Sequence, residues 1–170
     1  MAWTEPKTWV AEPLVAADLN THLRDNLNAL KDPPTAHYEP EGVTYSTTST
    51  TIFVDVDATN LALTIETSGG DVLVGFHGLV GTSVTTNPMA YFDIEVDGNL
   101  IGDDDGIFAV RHSAGVHVAA SFVRLITGLS AGSHTFKLKW KVNGATGYLY
   151  ANPGTTYYNL HPQFWVREVS

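Results

Sequence analysis

The strongest constraint on this chain is an apolar period of two. In HTFKLKWKV, Phe136, Leu138, Trp140 and Val142 alternate with Lys137, Lys139 and Lys141. Successive side chains of a strand point to opposite faces, so this segment predicts a strand with one face buried and one wet. AYFDIEVDG repeats the pattern: Ala90, Phe92, Ile94 and Val96 inward, Asp93, Glu95 and Asp97 outward, then a turn at DG. In TIFVDVD, Ile52, Val54 and Val56 form the expected inner row. From about Tyr38 onward no apolar pattern of helical length intervenes, which argues against a βαβ fold. The expected strands are 43–56, with a break allowed, then 61–67, 71–80, 89–97, 107–112, 117–128, 133–142, 146–151 and 163–169. Their number and spacing predict an all-β chain, an antiparallel jelly-roll or β-sandwich of eight to nine strands. The polar, β-branched TYSTTSTT (44–51) reads as an exposed edge strand or a sleeve along neighbours.

Three of these strands are apolar on both sides. DVLVGFHGLVG sets Val72, Val74 and Phe76 against Leu73 and Leu79. HVAASFVRLITGL sets Ala120, Phe122 and Ile126 against Val123 and Leu125, and QFWVREV sets Phe164 and Val166 against Trp165. A strand with two apolar faces needs two covers. In an antiparallel sandwich, a second subunit is a common source of the second one.

The front of the chain differs. Met1 to Val15 is an extended arm carrying Trp3 and Trp9, and Ala16 to Asp32 reads as one short α-helix that Pro33 and Pro34 stop. Leu19, Leu23, Leu27 and Leu30 fall on one helical face. Asp18 in the first turn and Lys31 in the last suit the helix dipole. So short a helix is marginal alone. Its leucine ridge needs a partner, either the chain's own β region or the helices of other copies. The expected division is 1–34 for attachment and oligomerisation and 35–170 for the β domain.

Composition removes several function classes. With no Cys there is neither a disulfide nor a thiolate metal site. A net charge of -9, from 18 acidic and 9 basic residues, opposes nucleic acid and anionic membrane as partners. The front segment lacks the apolar run of a signal peptide, and no segment is apolar for long enough to span a bilayer, so synthesis in a cytoplasm is expected.

Catalytic signals are missing: there is no GxSxG elbow, no HExxH and no phosphate-cradling glycine loop. The chain is read as a non-enzyme without a cofactor. For metal, the best candidates are Asp103, Asp104 and Asp105 in GNLIGDDDG, hard oxygen ligands of the calcium type. They lack the EF-hand spacing, and a solvated acidic loop is the ordinary reading. His112 and His117 flank a turn and could approach each other, with a solvated turn as the default. Tyr148, Tyr150, Tyr157 and Tyr158 gather near YLYANPGTTYYNL, where exposed aromatics would stack on a glycan or fill a protein interface.

Two segments resemble known families. TWVAEPLVAADLNTHLRDNLNALKD resembles an N-terminal module of phage and prophage virion proteins, matched at Trp9, Val10, Ala11, Ala16 to Asn20 and Arg24 to Leu27. Val15 stands where the module has a helix-capping Thr, so helix entry should differ. LSAGSHTFKLKWKVNGATGYLYAN with PQFWVREV is similar to the last strands of trimeric jelly-roll heads of phage appendages, and to C1q and tumour-necrosis-factor-like heads. Gly132, His134, Phe136, Leu138 and Trp140 carry that likeness, with Phe164, Val166 and Glu168. The resemblance implies a homotrimeric virion structural protein that decorates a capsid or forms a fibre or appendage head. Its implied partners are copies of itself and other virion proteins such as a major capsid protein. Trp3, Trp9 and the four leucines would be the attachment and oligomer residues. The alternative is a receptor-binding head that recognises a host surface glycan.

Overall fold

A computed structural model of the chain describes residues 4, 7–10, 13, 15–83, 89–112, 116–152, 154 and 160–169. Two six-stranded antiparallel sheets pack face to face. Sheet one contains β1 (Thr35–Tyr38), β2 (Val43–Thr47), β5 (Gly70–Thr82), β9 (Val118–Leu129), β11 (Gly147–Ala151) and β12 (Gln163–Glu168). β5 pairs along one edge with β9 and along the other with β12 and then β11, which lead on to β1 and β2. Sheet two contains β3 (Val54–Asp55), β4 (Ala62–Thr67), β6 (Met89–Val96), β7 (Asn99–Leu100), β8 (Phe108–Arg111) and β10 (Gly132–Val142). β10 lies between β6 and the β3/β4 pair, and β6 leads on to β7 and β8. This is the jelly-roll type of sandwich that the alternation predicts.

The inward rows meet in one core. Phe76 of sheet one lies 5.3 Å from Phe92 of sheet two, and Phe92 stacks on Trp140 at 6.3 Å. Phe122 touches both Phe76 and Phe108, at 5.7 and 5.6 Å. Phe136, Leu138, Phe164 and Val166 are fully buried. Truncating any of these aromatics to Ala removes buried area and leaves a void, at a cost of roughly 3–5 kcal/mol.

Three expectations need correction. The first strand takes the break allowed for it, as β2 and β3; Val54 and Val56 pack inward as expected, but Ile52 is 66% exposed and Phe53 is buried instead. The cause is the bend at Ser49, whose hydroxyl donates to the Ile52 carbonyl at 2.6 Å and whose own carbonyl accepts from Val142 N. Asp93 points outward by parity but is buried, because the 101–106 loop folds over it. β1 begins at Thr35, directly after the prolines, and pairs with β12.

The helical segment runs as α1 (Ala16–Leu19), a π-helical stretch (Asn20–Asp25) and α2 (Asn26–Lys31). Val15 occupies the N-cap position and makes no side-chain cap, as expected for a residue without a hydroxyl. Among the described residues no helix is long and apolar enough to cross a membrane.

Candidate functional site

Sheet one's outer face gathers the side chains that the two-sided strands leave outside. Pairing places Leu73 between Arg167 and Leu125, then Gly75 between Trp165 and Val123, then His77 between Gln163 and Ser121, and then Leu79 between Tyr150 and Ala119. His37 continues the Trp165 row on β1. Val123 is 60% and Leu125 46% exposed. The Trp165 indole lies flat across Gly75, where a Cβ would fall 2.2 Å from Cε2. Glycine at this position therefore serves close approach rather than backbone freedom. Tyr148 and Tyr150 share the face, with ring centroids 6.0 Å apart. The Tyr150 hydroxyl lies 3.1 Å from His117 Nε2. Among the described residues, the carboxylates near this face are Asp71 at the start of β5, which accepts from Gly128 N at 3.2 Å, Glu39, which accepts from Gln163 Nε2 at 2.5 Å, and Glu41, which accepts from Asn152 Nδ2 at 3.0 Å.

The arm and helix form a second unshielded region. Leu19, Leu23, Leu27 and Leu30 are 39%, 54%, 56% and 67% exposed, and among the described residues the apolar core contains nothing ahead of Ala36. Trp9 and Val10 are exposed as well. The arm runs back beside the helix. Thr4 N donates to Asn26 Oδ1 at 2.8 Å, Asn26 Nδ2 donates to the Thr4 carbonyl at 2.7 Å, and Lys7 Nζ meets Asp18 Oδ2 at 2.6 Å. Asn26 is buried because its amide satisfies both backbone groups of one extended residue. Sequence reading missed this role. The only available signal was a polar residue between Asp25 and Leu27 in the matched module. Trp3, Tyr157 and Tyr158 lie outside the described residues.

Sheet two's outer face is charged and satisfied within the chain. Lys139 Nζ lies 2.9 Å from both Asp55 Oδ1 and Glu95 Oε2, and Lys137 lies 3.2 Å from Glu95. Burial alone would lower the Lys139 pKa, but hydrogen bonds to Asp55 and Glu95 raise it overall. The hydrogen bond from Lys139 holds Glu95 below the usual carboxylate range. Lys141 lies over the Phe53 ring at 4.6 Å and donates to the Asp104 carbonyl. The acidic loop rests on Asp93, whose carboxylate accepts from Gly102 N at 3.1 Å and from Ile94 N at 2.7 Å. Burial pushes Asp93 upward, with Asp103 adding to the effect, and the backbone donors oppose it. Asp103, Asp104 and Asp105 are themselves exposed, and among the described residues no three His, Asp or Glu side chains stand together as a metal ion requires.

Two interior histidines differ in kind. The His134 Nδ1 lies 2.6 Å from Asp97 Oδ2, and that bond raises its pKa. Both ring nitrogens of His112 are buried with no hydrogen bond of acceptable geometry. Burial lowers its pKa, and His117 acts in the same direction.

No family model matches the chain, and no curated protein matches it. Among solved structures, murine APRIL at pH 8.5 aligns with a TM-score of 0.44 and 15% identity over 79% of this chain and 98% of that one. The VP2 protein of infectious bursal disease virus aligns with a TM-score of 0.41 and 13% identity over 79% of this chain and 36% of that one. Likeness at this distance carries no function.

Proposed function

We propose that this chain is a virion structural protein whose activity is assembly: a homotrimer that decorates a capsid or heads a fibre or appendage, without catalysis. The carrying observation is sheet one's outer face, where exposed Val123 and Leu125 stand together with half-buried Leu73, Leu79 and Trp165. The occupant in this reading is the same face of other copies, turned toward a shared axis. Charge supports that choice. In a chain of net charge -9, self-contact through an acid-bearing surface sets carboxylate against carboxylate. Here, among the described residues, the row from Leu73 to Leu79 carries no acid, and Asp71, Glu39 and Glu41 are each hydrogen-bonded within the chain. The number three rests on the resemblance of the tail segment to trimeric heads.

The arm and helix, residues 1–34, serve as the attachment unit, offering Leu19, Leu23, Leu27, Leu30 and Trp9 to helices of sister copies or to another virion protein. The test is co-sedimentation with purified virion shells, using the full chain and a chain lacking residues 1–34. Retention of the full chain alone supports the reading; equal retention of both removes the attachment role. In the glycan-receptor reading, Tyr148 and Tyr150 are the contacts. Their place beside Leu79 and His117 favours self-contact instead, and a glycan array on the assembled protein decides between them: specific binding that Tyr150→Ala abolishes would favour the receptor.

A further inference from the structure

The inward row of β10 ends on a histidine. Phe136, Leu138 and Trp140 are buried in the core, and His134 closes the same row at 9% exposed. Two turns reach its ring. Asp97, in the left-handed region at φ 49°, places Oδ2 2.6 Å from Nδ1. Ser130, in the connection from β9 to β10, places its carbonyl oxygen 2.9 Å from Nε2. Thr135 N donates to the other Asp97 oxygen at 2.8 Å, and this bond, followed by the one from His134, holds Asp97 below the usual carboxylate range. Asp97 is therefore ionised. A carboxylate and a carbonyl can only accept, so both ring nitrogens must donate, and a histidine that donates twice is an imidazolium.

We propose that His134 is a proton-held latch: as an imidazolium it fastens the crossing between the two sheets at Ser130 to the β6–β7 turn at Asp97, and loss of its proton frees the crossing. The inference concerns a single chain and stands whether or not copies assemble.

The charged groups that act on the ring are both acids, Asp97 from the β6–β7 turn and Glu66 from β4. The β9–β10 connection, Ser130 and Ala131, brings no titratable side chain. On β10 itself the next charge is Lys137, engaged with Glu95. On the facing sheet, Glu168 of β12 accepts from Ser68 and Asp71 of β5 accepts from Gly128 N. The bond to Asp97, then the bond to Ser130, raise the histidine above its ordinary value against the effect of burial. The latch is thus complete below the unfolded pKa and is lost as pH rises through the folded one.

When the proton leaves, one bond goes with it. The bond to the carboxylate is charge-assisted and the stronger, so Nδ1 keeps its hydrogen. Nε2 then turns a bare lone pair on the Ser130 carbonyl, and the two repel. The Thr67 hydroxyl, 2.8 Å from the same carbonyl, remains. Among the described residues β9 pairs only with β5, so its end at Leu129 relies on this connection.

The experiment combines nitrogen-15 NMR of the histidine rings with amide hydrogen exchange across residues 128–132, on the full chain between about pH 5.5 and 9. Exchange is expressed against the unstructured rate at each pH. At about pH 6.5, where free histidine is half charged, both His134 ring nitrogens should carry hydrogen. Above a higher midpoint Nε2 alone should lose it, and protection at 128–132 should fall about tenfold, as expected for one charge-assisted bond. Asp97→Asn should lower the midpoint by about one pH unit and carry the exchange step with it. His134→Gln should keep protection low throughout and abolish the step. A neutral His134 at pH 6.5, loss of the proton from Nδ1 instead, or a titration that leaves protection unchanged overturns the latch. So does an exchange step that persists in His134→Gln. If that variant does not fold, Asp97→Asn decides: a step that does not follow the shifted midpoint overturns the latch.

Discussion

The two sheets of this sandwich bury the same kind of inner face and treat their outer faces in opposite ways. Sheet two's outer face closes its own accounts: Lys139 is shared between Asp55 and Glu95, Lys137 reaches Glu95, and Lys141 covers Phe53. Sheet one's outer face leaves Val123 and Leu125 in water, with Trp165 spread across Gly75. Both follow the same period-two rule, so alternation alone does not say which face is finished. Finish depends on whether each outer side chain finds a partner inside the same chain. A charged ladder does, and a patch of valine, leucine and tryptophan does not.

Several changes break or sharpen that contrast. The largest effect on a single chain belongs to sheet two. Lys139→Ala removes the shared cation and leaves Asp55 and Glu95 facing each other with side chains 29% and 14% exposed. Partial exposure softens the loss, and about 2–3 kcal/mol of unfolding free energy is expected in urea titration, with assembly unchanged once folded. Because Glu95 has a depressed folded pKa, its contribution is present above its unfolded pKa and is lost as pH falls through the folded value. The Lys139→Ala penalty should therefore shrink toward acid.

A smaller effect is expected on sheet one from Gly75→Ala, which forces the indole of Trp165 aside. About 1 kcal/mol of self-affinity should be lost, with a change in tryptophan fluorescence and little change in unfolding of the released chain.

The interior histidines provide a control for pH, because their signs oppose. The folded pKa of His134 is raised, so its pairing with Asp97 stabilises fully below the unfolded pKa and is lost as pH rises through the folded value. His134→Gln should cost about 1 kcal/mol in acid and progressively less toward alkaline pH, since the partner Asp97 is 44% exposed and screened. The folded pKa of His112 is lowered, so its contribution is present above the unfolded pKa and falls away as pH drops through the folded value. Unfolding midpoints across pH 5 to 8 for the wild type and each variant check both signs.

The smallest stability effect belongs to the arm. Asn26→Ala removes both bonds to Thr4, and the unfolding free energy of the sandwich should move by less than about 0.5 kcal/mol, because no described residue ahead of Ala36 belongs to the core. Limited proteolysis should nevertheless cut the arm faster.

Much of this architecture was legible in the residues. The rows Phe136-Leu138-Trp140-Val142 and Ala90-Phe92-Ile94-Val96 are buried as their period requires, and the long strands begin and end within a residue or two of expectation. The opposed rows of β5, β9 and β12 were legible one strand at a time. That Leu73, Val123 and Trp165 share a patch depends on β5 lying between β9 and β12, a long-range pairing that no local pattern encodes. Asp93 was hidden for a similar reason: its parity is outward, but a loop returns to cover it and supplies Gly102 N. Asn26 was hidden because its partner is a backbone 22 residues away. Ile52 marks the limit of alternation: the turn closed by the Ser49 hydroxyl on the Ile52 carbonyl puts that one side chain outside, while Val54 and Val56 keep the expected side.

The most direct measurement is the mass of the particle in solution at micromolar concentration, by light scattering on the wild type and on Val123→Glu with Leu125→Glu. Both substitutions place carboxylates in water on the isolated chain and against each other in the assembly. A wild type at three chain masses and a folded variant at one is the predicted result. A wild type at one chain mass, or a variant that still assembles, would contradict the account.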